Sequence, residues 1–251
     1  MLTTNRLCAA LIAATATVLS LALTAPAGAA SSRAKHSHNS CRNGYVGLTF
    51  DDGPSATLPQ LLQALQANHL RATMFNQGNN ALARPDYVRD ELRAGMWVGN
   101  HTFTHPHLPQ IGEPQAFEEI ASTQWVLTDI THRVPTLFRP PYGETSDQVR
   151  ADEQRLRLLE VLWTVDSRDW AGASPDEIVA AAATLQPGGI ILMHDWPPAT
   201  IQAIPGIARV LADKQLCPGR IAYTAQEIPY GTTTFHAVAV KPKGGARDRR
   251  W

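Results

Sequence analysis

From Gly44 onward, short apolar, β-branched runs alternate with amphipathic helical stretches, and this alternation restricts the fold more than any other feature. Strands are predicted over 45–50, 72–76, 96–100, 136–139, 159–165, 189–194 and 220–223, with helices over 58–68, 85–94, 114–132, 146–156, 174–185 and 200–214. Helix starts carry their own signals: Ser174-Pro175-Asp176-Glu177 offers a capping hydroxyl, a proline at the first position and acids in the first turn. A chain that alternates in this way pairs its strands in parallel and covers them with crossover helices. About seven parallel strands within roughly 180 residues fit an α/β fold of the distorted, incomplete (β/α) barrel type. A doubly wound open sheet is the structural alternative.

In a parallel barrel, reactive groups sit at the C-terminal ends of strands. Here those positions are filled repeatedly: Asp51-Asp52 after the first strand, His101 and His105 after the third, Arg139 after the fourth, Asp166 and Asp169 after the fifth, and His194 after the sixth. His101 and His105 are four residues apart, so on a helical turn both imidazoles would share one face, a spacing suited to borderline divalent metals. Thr102 follows where a metalloprotease helix would carry its own glutamate, so a third ligand and a base must come from elsewhere. Asp51 and Asp52 can supply both, one as ligand and one as proton acceptor, and a cation between them offsets their repulsion. Their order alone does not say which is which, and Asp-Asp-Gly-Pro is also a good turn. Arg139, before two prolines, places a fixed cation that can pair with a carboxylate and keep it ionised. An aspartate beside His194 would raise its pKa, as a general acid requires. His107 reads as a surface residue, and Trp170 as a wall for a flat ligand or as core.

The flanks read differently. Residues 1–29 have the plan of a signal peptide: Arg6, an apolar stretch over 9–23, and Ala27-Gly28-Ala29 as a small-x-small cleavage site. Residues 30–43 form a polar leader, 44–224 the catalytic domain, and 225–251 a C-terminal extension with a basic tail. Without the signal segment two cysteines remain, Cys41 and Cys217, and in an exported protein such a pair is expected to form a disulfide. Formal net charge is zero, with 22 basic and 22 acidic residues, which argues against nucleic acid or a membrane surface as partner. A secreted, extracellular monomer is expected, free of the membrane after signal cleavage. The chain contains no G-x-S-x-G elbow, which argues against a serine esterase.

The segments LTFDDGP (48–54), HTFTH (101–105), RPPYG (139–143), DSRDW (166–170) and LMH (192–194) resemble, in order, the five motifs of carbohydrate esterase family 4, the polysaccharide deacetylases with a nodulation-deacetylase homology domain. The resemblance covers 44–223. Longer strings, among them NGYVGLTFDDGPS (43–55), LFRPPYGET (137–145) and ILMHDWP (191–197), look like the catalytic domain of secreted bacterial acetylxylan esterases in that family. The resemblance implies a hydrolase with one divalent metal ion, zinc or else cobalt or nickel. It makes Asp51 the base, Asp52, His101 and His105 the metal ligands, and Arg139 the residue that holds Asp51. The Tyr142 N–H would help bind the oxyanion, His194 would be the acid with Asp169 as its partner, and Trp170 would line the acetyl pocket. The implied substrate is an acetylated polysaccharide or oligosaccharide, most closely acetylxylan, with N-acetylated chitooligosaccharides or peptidoglycan as alternatives and a non-catalytic sugar-binding protein as a distant one. The departure from the pattern is that no fused binding module is recognised.

Overall fold

The computed structural model describes residues 41–221 and 233–234. The signal-like segment, the leader up to Ser40, residues 222–223 of the last predicted strand and the basic tail lie outside them. In chain order the elements are β1 (Tyr45–Gly53), α1 (Leu58–Ala67), β2 (Thr73–Asn76), α2 (Gly78–Ala83), α3 (Pro85–Arg93), β3 (Trp97–Asn100) and α4 (Glu113–Thr131). They continue with β4 (Leu137–Phe138), α5 (Asp147–Leu156), β5 (Leu159–Val161), β6 (Val165–Asp166), α6 (Pro175–Ala183), β7 (Ile190–His194), α7 (Pro198–Asp213), β8 (Cys217–Pro218) and β9 (Thr233–Thr234). Among these residues no helix is long and apolar enough to cross a membrane.

All strand pairs are parallel, in the order β6-β7-β1-β2-β3-β4-β5-β9, with β8 pairing the start of β1. Laid flat, the six spacings from β6 to β5 would separate those strands by about 29 Å. Only residues 162–164 join them, a reach of about 14 Å from Val161 to Val165. The sheet must therefore curl. The result is seven parallel strands (β1 to β7) in a curled half-barrel, the incomplete (β/α) barrel expected from the sequence.

The single strand expected over 159–165 is instead two strands at opposite ends of the sheet. Arg139 explains the break: its Nε donates to the Val161 carbonyl (3.0 Å) and its Nη2 to that of Leu162 (3.4 Å), taking acceptors a continued ladder would need. The chain then crosses to β7, where the Thr164 N–H bonds the Ile190 carbonyl (2.9 Å). The expectation at 220–223 also changes: Arg220 makes an isolated bridge, and the strand of this region is β8, three residues earlier.

Period-two alternation sorts β1 into two faces. Val46, Leu48 and Phe50 are buried against α1, α6 and α7 in the largest apolar cluster, with Met74, Ile191 and Met193. A second cluster, Phe75, Leu137, Leu159, Val161, Ile190 and Ile221 with Trp163 against it, fills the concave side. Thr49 and Asp51 face that side, where Arg139 meets both. The expected Cys41–Cys217 disulfide is present, closing the chain across 176 positions at the start of β1.

Candidate active site

Neighbouring residues of a straight strand point to opposite faces, so Asp51 and Asp52 could not both serve one centre. The strand does not stay straight. Asp52 takes φ 67°, and the register between β1 and β2 slips between Asp51 and Gly53. Asp51 keeps its inward direction, opposite His194 across the β1–β7 ladder, while Asp52 swings to the rim. Gln77 Nε2 donates to its Oδ1 (2.8 Å) and Trp196 Nε1 to its Oδ2 (3.4 Å).

The two histidines converge on Asp52, although not by the helical turn the spacing suggested. Residues 101–107 form no helix; Thr102 (φ 62°) and His105 (φ 65°) are left-handed, and these two reversals fold the loop back. His101 Nδ1–H donates to the Arg139 carbonyl (2.6 Å), which fixes the tautomer and leaves Nε2 as a lone pair. That Nε2 lies 3.6 Å from Asp52 Oδ1, and His105 Nε2 lies 3.4 Å from the same oxygen. One ligand atom from each of the three residues lies within 4.8 Å of the others. In a tetrahedron with bonds of about 2.0–2.2 Å, ligand atoms stand about 3.3–3.6 Å apart, so Asp52, His101 and His105 fit a divalent cation. Burial and the neighbouring His101 push the His105 pKa down, favouring the neutral imidazole a metal needs. Burial alone would raise the Asp52 pKa, but His101, His105 and His194 outweigh it and hold the carboxyl below its ordinary value.

Asp51 is buried and salt-bridged to Arg139, Oδ1 to Nη1 at 2.7 Å, and its Oδ2 lies 3.8 Å from His101 Nε2. Arg139 is fully buried, stacked over Phe75 (4.4 Å) and Trp163 (5.5 Å), and its Nη1 also donates to Thr49 Oγ1 (2.8 Å). Burial lowers its pKa and Asp51 raises it. On the other flank, His194 Nδ1–H donates to Asp169 Oδ1 (2.8 Å), leaving Nε2 3.8 Å from Asp52 Oδ2. Asp169 also accepts from the His194 N–H (2.7 Å), Thr200 Oγ1 (2.6 Å) and the Trp170 N–H (2.8 Å). Desolvation works against a charged His194, yet Asp169, Asp51 and Asp52 outweigh it and its pKa is raised. Asp169 is lowered for the reciprocal reason, His194 and Thr200 overcoming burial.

Tyr142 and Trp170 stand half-exposed at the rim. Tyr142 touches His105 edge-on (4.6 Å), and Asp166 accepts from the Trp170 indole (3.3 Å), so Asp166 orients that ring. The nine predicted residues thus form three connected groups: Asp52-His101-His105 with Tyr142, Asp51-Arg139, and His194-Asp169-Trp170.

A family profile described as polysaccharide deacetylase matches residues 38–161. The solved family 4 carbohydrate esterase from Streptomyces lividans, in complex with acetate, aligns with a TM-score of 0.73 at 52% identity, covering 79% of this chain and 99% of that one. This chain belongs to the polysaccharide deacetylase family. A bifunctional xylanase/xylan deacetylase from Cellvibrio japonicus is 44% identical over 181 residues, 71% of this chain and 27% of that protein. The peptidoglycan-N-acetylglucosamine deacetylase PgdA of Listeria monocytogenes is 37% identical over 158 residues, 61% of this chain and 33% of its own. The chain therefore spans about a third or less of the length of these two curated relatives.

Several residues that shape this candidate site carried little or no signal in the sequence. Asp195 adjoins His194 but turns away from it: buried, its Oδ2 accepts the Ser55 N–H (2.7 Å) and its carbonyl accepts Thr57 Oγ1 (2.7 Å). It ties the loop after the Asp51-Asp52 strand to the end of β7, and burial raises its pKa to about 6. Beside it Asn76 Nδ2 donates to Glu91 (2.7 Å), whose pKa burial pushes well up. Gly53 leaves room for this group, since a Cβ there would lie 2.7 Å from Asn76 Oδ1 and 3.0 Å from Asp195 Oδ2. The sequence signal for Asp195 was its adjacency to a motif; Gln77, Glu91 and Thr200 carried none.

Proposed function

We propose that the protein is an exported, metal-dependent carbohydrate deacetylase that hydrolyses acetyl groups from polysaccharide, with O-acetyl esters of acetylxylan as its substrate. The observation that carries this reading is the convergence of Asp52, His101 and His105 between two buried pairs, Asp51–Arg139 and Asp169–His194. A divalent cation bound by those three residues supplies Lewis-acid polarisation of the acetyl carbonyl and acidifies a water. Two imidazoles and one carboxylate suit zinc, with cobalt or nickel as the other fits.

The chain's own groups then divide the proton work. Asp51, fixed by Arg139, accepts the proton of the attacking water. His194, protonated and held by Asp169, gives a proton from Nε2 to the leaving oxygen or nitrogen. The Tyr142 amide donates to the oxygen on which negative charge develops. Trp170 walls the acetyl group. Export is supported by the N-terminal segment and by the disulfide. The ester preference is supported by the higher identity to the xylan deacetylase than to the peptidoglycan enzyme.

Turnover on acetylated xylan and on N-acetylated chitooligosaccharides, measured side by side before and after EDTA and after zinc is restored, tests the reading. Acetate release from xylan that EDTA abolishes and zinc restores is expected. Release confined to the chitooligosaccharides would overturn the ester assignment, and activity that survives EDTA would overturn the metal.

A further inference from the structure

Tyr142 occupies a conformation that an aromatic residue rarely adopts, φ 60° and ψ 4°, in the left-handed region. Such an outlier persists only where its surroundings over-determine it. Its sequence setting shows what is at stake: Pro140 and Pro141 have no N–H, so the Tyr142 amide is the first backbone donor after Arg139. The Gly143 and Glu144 amides turn back onto the carbonyls of Pro140 and Pro141 (both 3.1 Å), and the Tyr142 amide bonds no other described residue.

What holds Tyr142 is a pair of rings. The His107 imidazole stacks on the phenol at 4.0 Å with planes only 12° apart, and His105 meets it edge-on at 4.6 Å. His107 is itself pinned, Nδ1 to Glu144 Oε2 at 2.9 Å, and Glu144 lies two residues beyond Tyr142 in the same loop. The contact closes a ring of three side chains that clips the 141–144 loop to the 105–107 loop. His107 is exposed and Glu144 only partly buried, so apolar burial does not account for the pairing.

We infer that His107, pinned by Glu144, is a positioning residue that keeps Tyr142 in its left-handed turn and its amide N–H aimed at the reacting acyl oxygen. The inference rests on the proposed deacetylase reading, in which that amide is an oxyanion donor. It assigns a function to an imidazole that neither binds the cation nor moves a proton. His107 touches nothing that reacts; it acts through Tyr142.

The test compares His107→Ala, His107→Phe and Glu144→Ala with the wild type, on whichever of acetylated xylooligosaccharides and N-acetylated chitooligosaccharides the wild type hydrolyses. Zinc content and melting temperature are measured on the same preparations. Misplacing one oxyanion donor predicts a kcat loss of about 10- to 100-fold in His107→Ala, with KM within about twofold. Zinc content and melting temperature should stay at wild-type values, and His107→Phe, which keeps the stack, should recover most of kcat. A double-mutant cycle adds a readout that a merely structural role would not move. In a Tyr142→Gly background, which needs no clamp to hold a positive φ, His107→Ala should have no further effect. Wild-type kcat in His107→Ala, no rescue by His107→Phe, or full additivity in the cycle would each overturn the inference while leaving the deacetylase reading intact. A wild type inactive on both substrates would sink that reading, and the inference with it.

Discussion

Asp51 and Asp52 come to face one centre because the backbone reverses at Asp52, and their surroundings differ. Asp51 is buried on Arg139, whereas Asp52 lies among imidazoles. Asp51→Asn should therefore keep one zinc per chain but lose about 10²- to 10⁴-fold in kcat, the usual contribution of a general base. His101→Ala should lose the zinc itself; metal analysis beside the kinetics separates the two outcomes. His194 yields a prediction in pH. Its pKa is raised despite burial because Asp169 and the two motif carboxylates favour the cation, so the acid form persists above the ordinary imidazole range. Removing that charge in Asp169→Asn lowers the pKa, so the alkaline limb of kcat against pH should move to lower pH. An unmoved limb would mean that another group titrates there. The residues that converge at the candidate site were legible because they lie at or just beyond strand ends in short, dense motifs. Asp195, Gln77 and Thr200 were not, since their contacts span 25 to 140 positions and a sequence read in short windows shows no pairing at that distance.

Secondary structure was readable where the signal is local. Ser174 forms the anticipated cap as a full capping box with Glu177, and six helices fall within two residues of their expected bounds. The seventh, α2, has six residues and no apolar period to announce it, and its Gly78 sits against Phe103 and Thr123. Residues 159–165 misled for the converse reason: the run is β-rich throughout, and the break comes where a side chain 22 and 23 positions away in sequence captures its carbonyls. Helix packing gives the prediction at this scale. Gly206 on α7 faces α6, and a Cβ there would lie 2.4 Å from Val179 Cγ2. Gly206→Ala should destabilise by about 1–3 kcal/mol in urea unfolding, although alanine is the better helix former by about 1 kcal/mol. Adding Val179→Ala should return part of the loss. A stabilised single variant would show that the helices move apart freely.

For the whole molecule, parallel pairing and an incomplete barrel were legible from alternation and strand number, with an open sheet as the alternative. What decides for the curl is how few residues join β5 to β6, which lie at opposite ends of the strand order, and that order is not written in the sequence. The disulfide was expected from cysteine count and its partners are as anticipated. It closes 176 positions, for which chain entropy gives about 5 kcal/mol as an upper figure, so Cys217→Ser should lower the urea midpoint markedly with the slope changing as the unfolded chain expands.

The disulfide lies beside the start of β1, where Cys217 pairs with Tyr45, and Asp51 and Asp52 lie toward its other end, roughly 20–25 Å away. The brace and the candidate site thus meet one ribbon at opposite ends without sharing an atom. A reductant should soften the protein to heat yet spare turnover at room temperature, and a chelator should silence turnover with the ribbon's far end still locked, so the two treatments inactivate by separable routes.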